Sequence, residues 1–324
     1  MRVLPLVACV VFFAAATVNA QTTDTISSAR EELVYKRMLK KNSKNATPNV
    51  GLAKIYFERN DYVEASKYAS AALNAGTDTI PAMWLLYCKA LDGAGRSENA
   101  LKYCQKAVAQ FPNHALLWAE LAFLQFKYRE YEQAISASER SLKLQPLNPD
   151  ACLVYALSMY ERSNNPQAAL PILYALILDN RKAVMPRDCW LFLQLAKQKH
   201  ANIPIPLYDK RLAIIDPIQI TTFMYPEKSF AITLESFDEA DFRVTADEYI
   251  QNLKGNTDNA LLLSMVEFMN SLKNEKHQNT ALFVAMRYTD NKVVTDWLKI
   301  HSEDIRQYAS WLDKHLPQPT VAGK

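Results

Sequence analysis

A short alanine-centred pattern recurs at almost constant spacing and constrains the fold more than any other feature of the chain. The four copies read DYVEASKYA, ENALKYC, EYEQAISAS and NPQAALPIL, and their central residues are Ala65, Ala100, Ala134 and Ala168. Successive alanines are 35, 34 and 34 residues apart. A fixed period in this range predicts stacked structural repeats, in which each unit buries its apolar face only against its neighbours.

The four copies define four consecutive units. Aligned on the alanines, the units span 46–80, 81–114, 115–148 and 149–182. A first-helix tryptophan recurs as Trp84 and Trp118, and a closing proline as Pro112 and Pro146. This pattern resembles the tetratricopeptide repeat (TPR), a helix-turn-helix unit with this period. The resemblance covers about 140 residues and implies an all-α fold, specifically a TPR-type right-handed α-solenoid.

Small residues recur in each unit at the positions where two helices would cross. Helices approach closely only where the facing side chains are small, while large neighbours fill the adjacent grooves. The large-then-small pairs are Leu52-Ala53, Tyr87-Cys88, Leu121-Ala122 and Tyr155-Ala156. The tryptophan position departs from the pattern in units one and four, which have Asn49 and Cys152 there.

The remaining chain is divided by composition into further segments. We predict an N-terminal capping helix within 21–45 and a degenerate fifth unit at 183–216 whose alanine position is Pro206. A linker at 217–232 would precede a C-terminal helical domain at 233–316 and a tail at 317–324. Helical periodicity within that domain predicts helices near 238–253, 258–273, 277–288 and 291–315, the last broken near His301-Ser302.

The first twenty residues predict an export signal. Arg2 precedes an apolar run over 3–18, and Val18-Asn19-Ala20 places small residues before a cleavage site at Gln21. We therefore expect a cleaved signal peptide at 1–20, a periplasmic or secreted protein, and no membrane span after cleavage. An uncleaved anchor and lipidation at Cys9 are the alternatives, and the junction resembles export signals of Bacteroidota.

The TPR resemblance implies that the first helix of each unit lines a concave groove that binds peptides. The groove positions predicted to bind a partner are Lys54, Leu85, Lys89, Phe123, Phe126, Leu153, Leu157 and Tyr160. These positions are apolar enough to favour a peptide or an amphipathic helix, and the asparagines of the carboxylate-clamp subtype are missing. The alternative is that the C-terminal region fills the groove, so that these residues are core.

Four cysteines remain after Cys9 leaves with the signal. Their wide spacing contains no CxxC motif, which argues against a zinc site. Cys88 and Cys104 occupy small-residue positions on the two helices of one unit, where they could form a disulfide or remain core thiols.

Composition and motifs favour binding over catalysis. The chain has only 6 glycines among 324 residues, and its five histidines show no HExxH spacing. His301-Ser302-Glu303-Asp304 is interpreted as a helix start with Ser302 as N-cap. The net charge of +3, with no basic run longer than Lys40-Lys41, argues against nucleic acid. We expect no catalytic residue, metal or cofactor.

Two functions compete with the leading hypothesis of a protein-binding scaffold. One is an enzyme or ligand-binding domain at 233–316 that the repeats would target, which converging polar groups from 238–243 and 301–304 would favour. The other is self-association, in which the repeats stack between chains.

Overall fold

A computed structural model of the chain describes residues 28–163, 166–178, 239–253, 259–288 and 291–316, together with Phe192 and Ala196. These residues form helices and short connections, so the predicted all-α fold is confirmed. None of the described helices is long and apolar enough to cross a membrane. The predicted signal peptide, the linker, the tail and most of the degenerate fifth unit lie outside the described residues.

Nine helices occupy the described part of the repeat region, and five follow it. The first is α1 over 28–41, and the others in the repeat region are α2 Ala46–Glu58, α3 Tyr62–Ala72, α4 Pro81–Gly93, α5 Ser97–Gln110, α6 Ala115–Lys127, α7 Tyr131–Leu144, α8 Pro149–Ser163 and α9 Ala169–Leu178. The C-terminal helices are α10 Glu239–Gln251, α11 Ala260–Asn274, α12 Gln278–Ala285, α13 Lys292–Ile300 and α14 Ser302–His315. A π-helical turn, Leu73–Thr77, follows α3.

The chain comprises two compact units, Met1–Asn99 and Ala100–Lys324. In the first unit α2 packs against α3 and α4, and α3 also packs against α4. In the second unit α6 packs against α7 and α8, and α8 packs against both α7 and α9. Within each unit, the first helices of two successive repeats are therefore neighbours. The domain boundaries expected from sequence stay predictions.

The four repeated alanines have the environment that the pattern predicts. Ala65, Ala100, Ala134 and Ala168 are all completely buried. The small members of the large-then-small pairs are also completely buried, namely Ala53, Cys88, Ala122 and Ala156. Their complete burial is what close helix approach at these positions requires.

The recurring tryptophan joins each unit to the turn that precedes it. The indole nitrogen of Trp84 donates a hydrogen bond to the Asp78 carbonyl at 2.8 Å, and that of Trp118 donates to the Pro112 carbonyl at 2.9 Å. At the same repeat position, the Asn49 amide nitrogen donates to the Asn45 carbonyl at 2.8 Å, and the carbonyl six residues earlier, that of Ser43, lies 3.5 Å from it. Asn49 therefore departs from the tryptophan pattern but still supplies a side-chain N–H donor at this position.

A left-handed residue closes the first helix of three successive hairpins. Asn60, Gly95 and Arg129 have φ values of 60°, 74° and 62°. Side chains other than glycine and asparagine are strained in this conformation, because the Cβ approaches a backbone carbonyl.

Replacing Gly95 by alanine is expected to lower the free energy of unfolding by about 1 kcal/mol, because alanine cannot relieve the positive φ. Gly95→Asn should cost less, since Asn60 adopts the same conformation in the preceding hairpin. Urea denaturation of the two variants beside the parent chain measures both effects. Equal stability of all three proteins would contradict the role assigned to this turn.

The C-terminal helices fall close to their predicted positions. The predicted break at His301-Ser302 is present between α13 and α14, but the assignment of Ser302 as N-cap is wrong. His301 occupies the cap position and Ser302 is the first helical residue, while the His301 ring lies 2.7 Å from a carboxylate oxygen of Asp304. The start of α11 is capped by Asn259, whose side chain accepts hydrogen bonds from the amides of Leu261 and Leu262.

Cys88, Cys104 and Cys152 are buried, and among the described residues no disulfide joins Cys88 to Cys104. The sulfur of Cys104 instead lies 3.5 Å from the Leu117 carbonyl, to which the thiol donates a hydrogen bond. A buried thiol with such an acceptor behaves as a small core residue. The core-thiol alternative is therefore the one that the structure contains.

Candidate functional site

The groove positions of the first two repeats form an open pocket in the first compact unit. On α2, Val50, Lys54 and Phe57 follow i, i+4, i+7 spacing and therefore share one face. The neighbouring α4 contributes Leu85 and Lys89 in the same way. The pocket, called the α2/α4 pocket below, has a volume of about 400 Å³ and is lined by Val50, Lys54, Phe57, Ile80, Ala82, Met83, Leu85, Leu86 and Lys89.

Chemically, the α2/α4 pocket combines apolar walls with two lysine side chains. None of the described residues that line it is acidic. Lys54 is exposed and forms no ion pair with any residue that the structure describes. Ile80, at the end of the pocket, is 46 % exposed, which is high for a large apolar side chain. An apolar group with a neighbouring carboxylate is complementary to this surface.

The groove positions of the last two repeats are not an open surface. Phe123, Leu153 and Leu157 are only 6 %, 8 % and 1 % exposed, so these predicted groove residues lie in the core of the described structure, and their role in partner binding stays a prediction. Phe126 and Tyr160 are half-buried and pack against the same hydrophobic core as Leu153 and Leu157. In the second unit these positions are therefore core residues, which is the alternative that the sequence left open.

A large hydrophobic cluster shared with the C-terminal helices accounts for the burial of Leu153 and Leu157. Phe123 is not a member of this cluster, and the Lys127 ammonium lies 5.5 Å from its ring centroid. Besides Leu153 and Leu157, this cluster contains residues of α9 to α14. The helix α9 packs directly against α11 and α12. An edge-to-face contact joins Tyr174 of α9 to Phe268 of α11, with ring centroids 5.4 Å apart. Leu153 and Leu157 are therefore part of one core with the C-terminal helices.

Polar contacts reinforce this packing. The Asn259 amide at the start of α11 donates to a carboxylate oxygen of Glu139 on α7 at 2.5 Å. Tyr155 donates to the same oxygen at 3.2 Å. Burial, followed by the charge of Glu139, raises the pKa of the Tyr155 phenol above its ordinary value. The phenol stays protonated and is a structural donor.

The polar groups expected to mark a C-terminal enzyme site are linked through aromatic rings. Arg243 pairs with Glu239 at 3.1 Å, and its guanidinium lies 4.9 Å from the Phe283 ring centroid. Phe283 stacks on Trp297, and Trp297 stacks on His301, with 4.1 Å between centroids in each case. Phe283 and Trp297 therefore separate Arg243 from His301 along this series of contacts. Among the described residues, no group of three or more His, Cys, Asp or Glu could hold a metal ion.

Sequence reasoning missed a hub that attaches α1 to the first repeat. The Glu32 carboxylate accepts hydrogen bonds from Lys36 at 2.6 Å, Tyr56 at 2.9 Å and Arg59 at 2.5 Å. The hydrogen bond from Lys36 is the main cause that lowers the pKa of Glu32 from 4.5 to about 2, and that from Arg59 is the second. Spacing alone gave no signal for the contact with Arg59, which is 27 residues away.

Glu32→Gln is expected to lower the free energy of unfolding by about 1 kcal/mol at neutral pH, because the three donors lose a charged acceptor. The value is small because solvent screens the partly exposed Lys36 and Arg59. The folded-state pKa of Glu32 is depressed, so its contribution is complete above pH 4.5 and is lost as the pH falls through about 2. Urea denaturation across this pH range should show the difference between parent and variant disappearing on acidification. A difference that stays constant would contradict the assignment.

The family model that matches the chain covers one stretch of the repeat region. Residues 81–124 match the family model of the tetratricopeptide repeat. No curated protein matches the chain significantly. Among solved structures, MamA is 21 % identical over 41 % of this chain and 77 % of its own, with a TM-score of 0.39.

Two further solved structures are similar in the same limited way. YrrB, described as a TPR protein with an unusual peptide-binding site, is 20 % identical over 47 % of this chain and 78 % of its own, with a TM-score of 0.42. The human IFIT1 dimer with PPP-AAAA is 14 % identical over 82 % and 69 %, with a TM-score of 0.36. At these values the likeness says nothing of what this chain binds.

Proposed function

We propose that this chain, in which residues 81–124 match the tetratricopeptide repeat, is a non-enzymatic scaffold that binds a partner protein through the α2/α4 pocket. One observation supports the proposal above all others. Positions that the repeat pattern assigned to a peptide groove, Lys54, Leu85 and Lys89, line a single open pocket with apolar walls. Concave apolar sites with a few fixed polar groups are the usual form of a ligand site.

The pocket chemistry defines the expected ligand. A short amphipathic helix would place apolar side chains against Phe57, Leu85 and Leu86, in the helix-in-groove mode of recognition. An acidic residue beside that apolar face would approach the ammonium groups of Lys54 and Lys89. Affinity would come mainly from the buried apolar side chains, while the two lysines would set the orientation and the preference for acidic neighbours.

A panel of labelled amphipathic peptides tests this proposal on the full chain. The peptides share one apolar face and differ only in acidic, neutral or basic residues beside it, and a scrambled sequence of each composition is the control. We expect the acidic peptide to bind most tightly and its affinity to fall as salt is added, because exposed charge pairs are screened. Equal binding of scrambled and amphipathic peptides, or no binding by the panel, would contradict the proposal.

The place of action that we propose is the periplasm or the extracellular medium. The support is the apolar N-terminal run with small residues before Gln21. Fractionation of producing cells, followed by N-terminal sequencing of the exported chain, should give Gln21 as the first residue. An intact N-terminus on a cytoplasmic protein would contradict export.

A further inference from the structure

The outward face of α1 concentrates basic side chains that are scattered in the sequence. The segment 28–45 contains six basic and two acidic residues and has a net charge of +4, whereas the whole chain carries +3. The chain outside this segment therefore has a slight negative charge. The positive charge of the protein comes from one short segment beside the predicted export signal.

Helix geometry places four basic side chains of this segment on one side of α1. At 3.6 residues per turn, an arc of about 120° holds six residues and no acidic one. Its members, called the basic face below, are Arg30, Leu33, Val34, Arg37, Lys40 and Lys41. All six are exposed, and the four basic side chains form no hydrogen bond or ion pair with any described residue.

Contacts on the opposite side fix the orientation of α1. Tyr35 lies so close to Gly51 that a Cβ at position 51 would be 2.3 Å from a ring carbon. Glu32, one of the two acidic residues of the helix, faces inward and binds Tyr56 and Arg59. The Glu32 carboxylate therefore lies on the packed side of α1, and the basic face is exposed to solvent.

Two large apolar side chains lie among these cations. Leu33 is 59 % and Val34 53 % exposed. A helix with apolar residues between lysines and arginines fits the interface of a bilayer, where apolar groups enter the acyl boundary and cations contact anionic head groups. The basic face lies on the convex side of a single helix, about 17 Å from first to last cation. A flat anionic surface can contact all six residues of the basic face at once. A bound peptide would need a groove, and one helix does not form a groove.

We propose that α1 binds the surface of a membrane that contains anionic phospholipids, through Arg30, Arg37, Lys40 and Lys41 with Leu33 and Val34 inserted between them. The contact is peripheral and leaves the α2/α4 pocket available, so it does not depend on the proposed function.

Vesicle flotation of the full chain tests the proposal. The probes are vesicles of phosphatidylcholine alone and vesicles of phosphatidylcholine mixed with phosphatidylglycerol. We expect binding to the anionic vesicles that weakens with added salt. The variant Lys40→Gln/Lys41→Gln should bind them about 30-fold more weakly, at about fivefold for each charge removed. Glutamine preserves helix propensity, and far-UV circular dichroism checks that the fold is intact.

The matched control removes the same charge elsewhere. Lys102→Gln/Lys314→Gln alters two exposed lysines on other helices and should bind anionic vesicles like the parent chain. Equal binding of the parent to neutral and anionic vesicles would assign the contact to the apolar N-terminal run and overturn the proposal. An equal loss of vesicle binding in both double variants would show that net charge, and not the basic face, causes binding. That result would also overturn the proposal. Binding to polyglutamate without binding to anionic vesicles would show an acidic protein surface to be the partner.

Discussion

Leu157→Ala is expected to lower the free energy of unfolding by about 3 kcal/mol, which is the middle of the range for a leucine truncated in a core. Leu157 is 1 % exposed and belongs to the cluster that unites the last two repeats with α9 to α14. The removed methyl groups leave a cavity that a close-packed interior fills only in part. Urea denaturation of parent and variant measures the effect.

The matched control is a leucine of the same compact unit that lies outside the core. Leu116 on α6 is 44 % exposed, so Leu116→Ala should change stability by no more than about 0.5 kcal/mol. Phe123→Asp gives a harsher form of the same test, because an unpaired carboxylate would have to be buried. Normal melting of Phe123→Asp together with lost partner binding would restore the open-groove interpretation of the last two repeats.

Leu85→Asp is expected to weaken binding of the acid-flanked amphipathic peptide at least 30-fold, which is the scale of one interface hot spot. The new carboxylate lies in the apolar wall of the α2/α4 pocket, where it replaces a contact and repels the acidic residues of the ligand. Because Leu85 is only half-buried, the fold should tolerate the change better than it tolerates Phe123→Asp. Fluorescence anisotropy with the labelled peptide measures the affinity, and thermal melting checks the fold.

Two further variants separate binding from general destabilisation. Val63 on α3 is exposed and lies outside the pocket, so Val63→Asp should bind the peptide like the parent. Lys54→Glu should exchange the preference, with weaker binding of the acidic peptide and stronger binding of the basic one. Unchanged affinity in both Leu85→Asp and Lys54→Glu would place the ligand elsewhere on the protein.

The repeat itself could be predicted from sequence because its determinants are local. Ala65, Ala100, Ala134 and Ala168 need only be small and correctly spaced for two helices to meet, and all four are buried as expected. The helices α10 to α14 were also predictable, because each shows helical periodicity and stop signals of its own.

Burial of the groove positions depends on what packs over them, which the repeat register does not specify. One signal was nevertheless present. The ninth position of the four units is Lys54, Lys89, Phe123 and Leu157, so it changes from charged to apolar between the second and third repeats. The two lysines line the open pocket, while Phe123 and Leu157 are buried. A change of polarity at a fixed register marks the point where a solvated face becomes core.

The basic face of α1 was missed for a different reason. Its four cations never form a run longer than Lys40-Lys41, so a search for charge clusters along the sequence does not find them. Only the helix phase fixed by Tyr35 and Glu32 brings them to one side.

Carbene footprinting of the free protein, read by mass spectrometry at single residues, tests the central claim most directly, because the label inserts into any side chain that solvent reaches. We expect strong labelling of Val50, Phe57, Leu85 and Leu86 in the α2/α4 pocket, and little labelling of Phe123, Leu153 and Leu157. Labelling of Phe123 and Leu157 as strong as that of Leu85 would contradict this expectation, because these two side chains would then be reached by solvent.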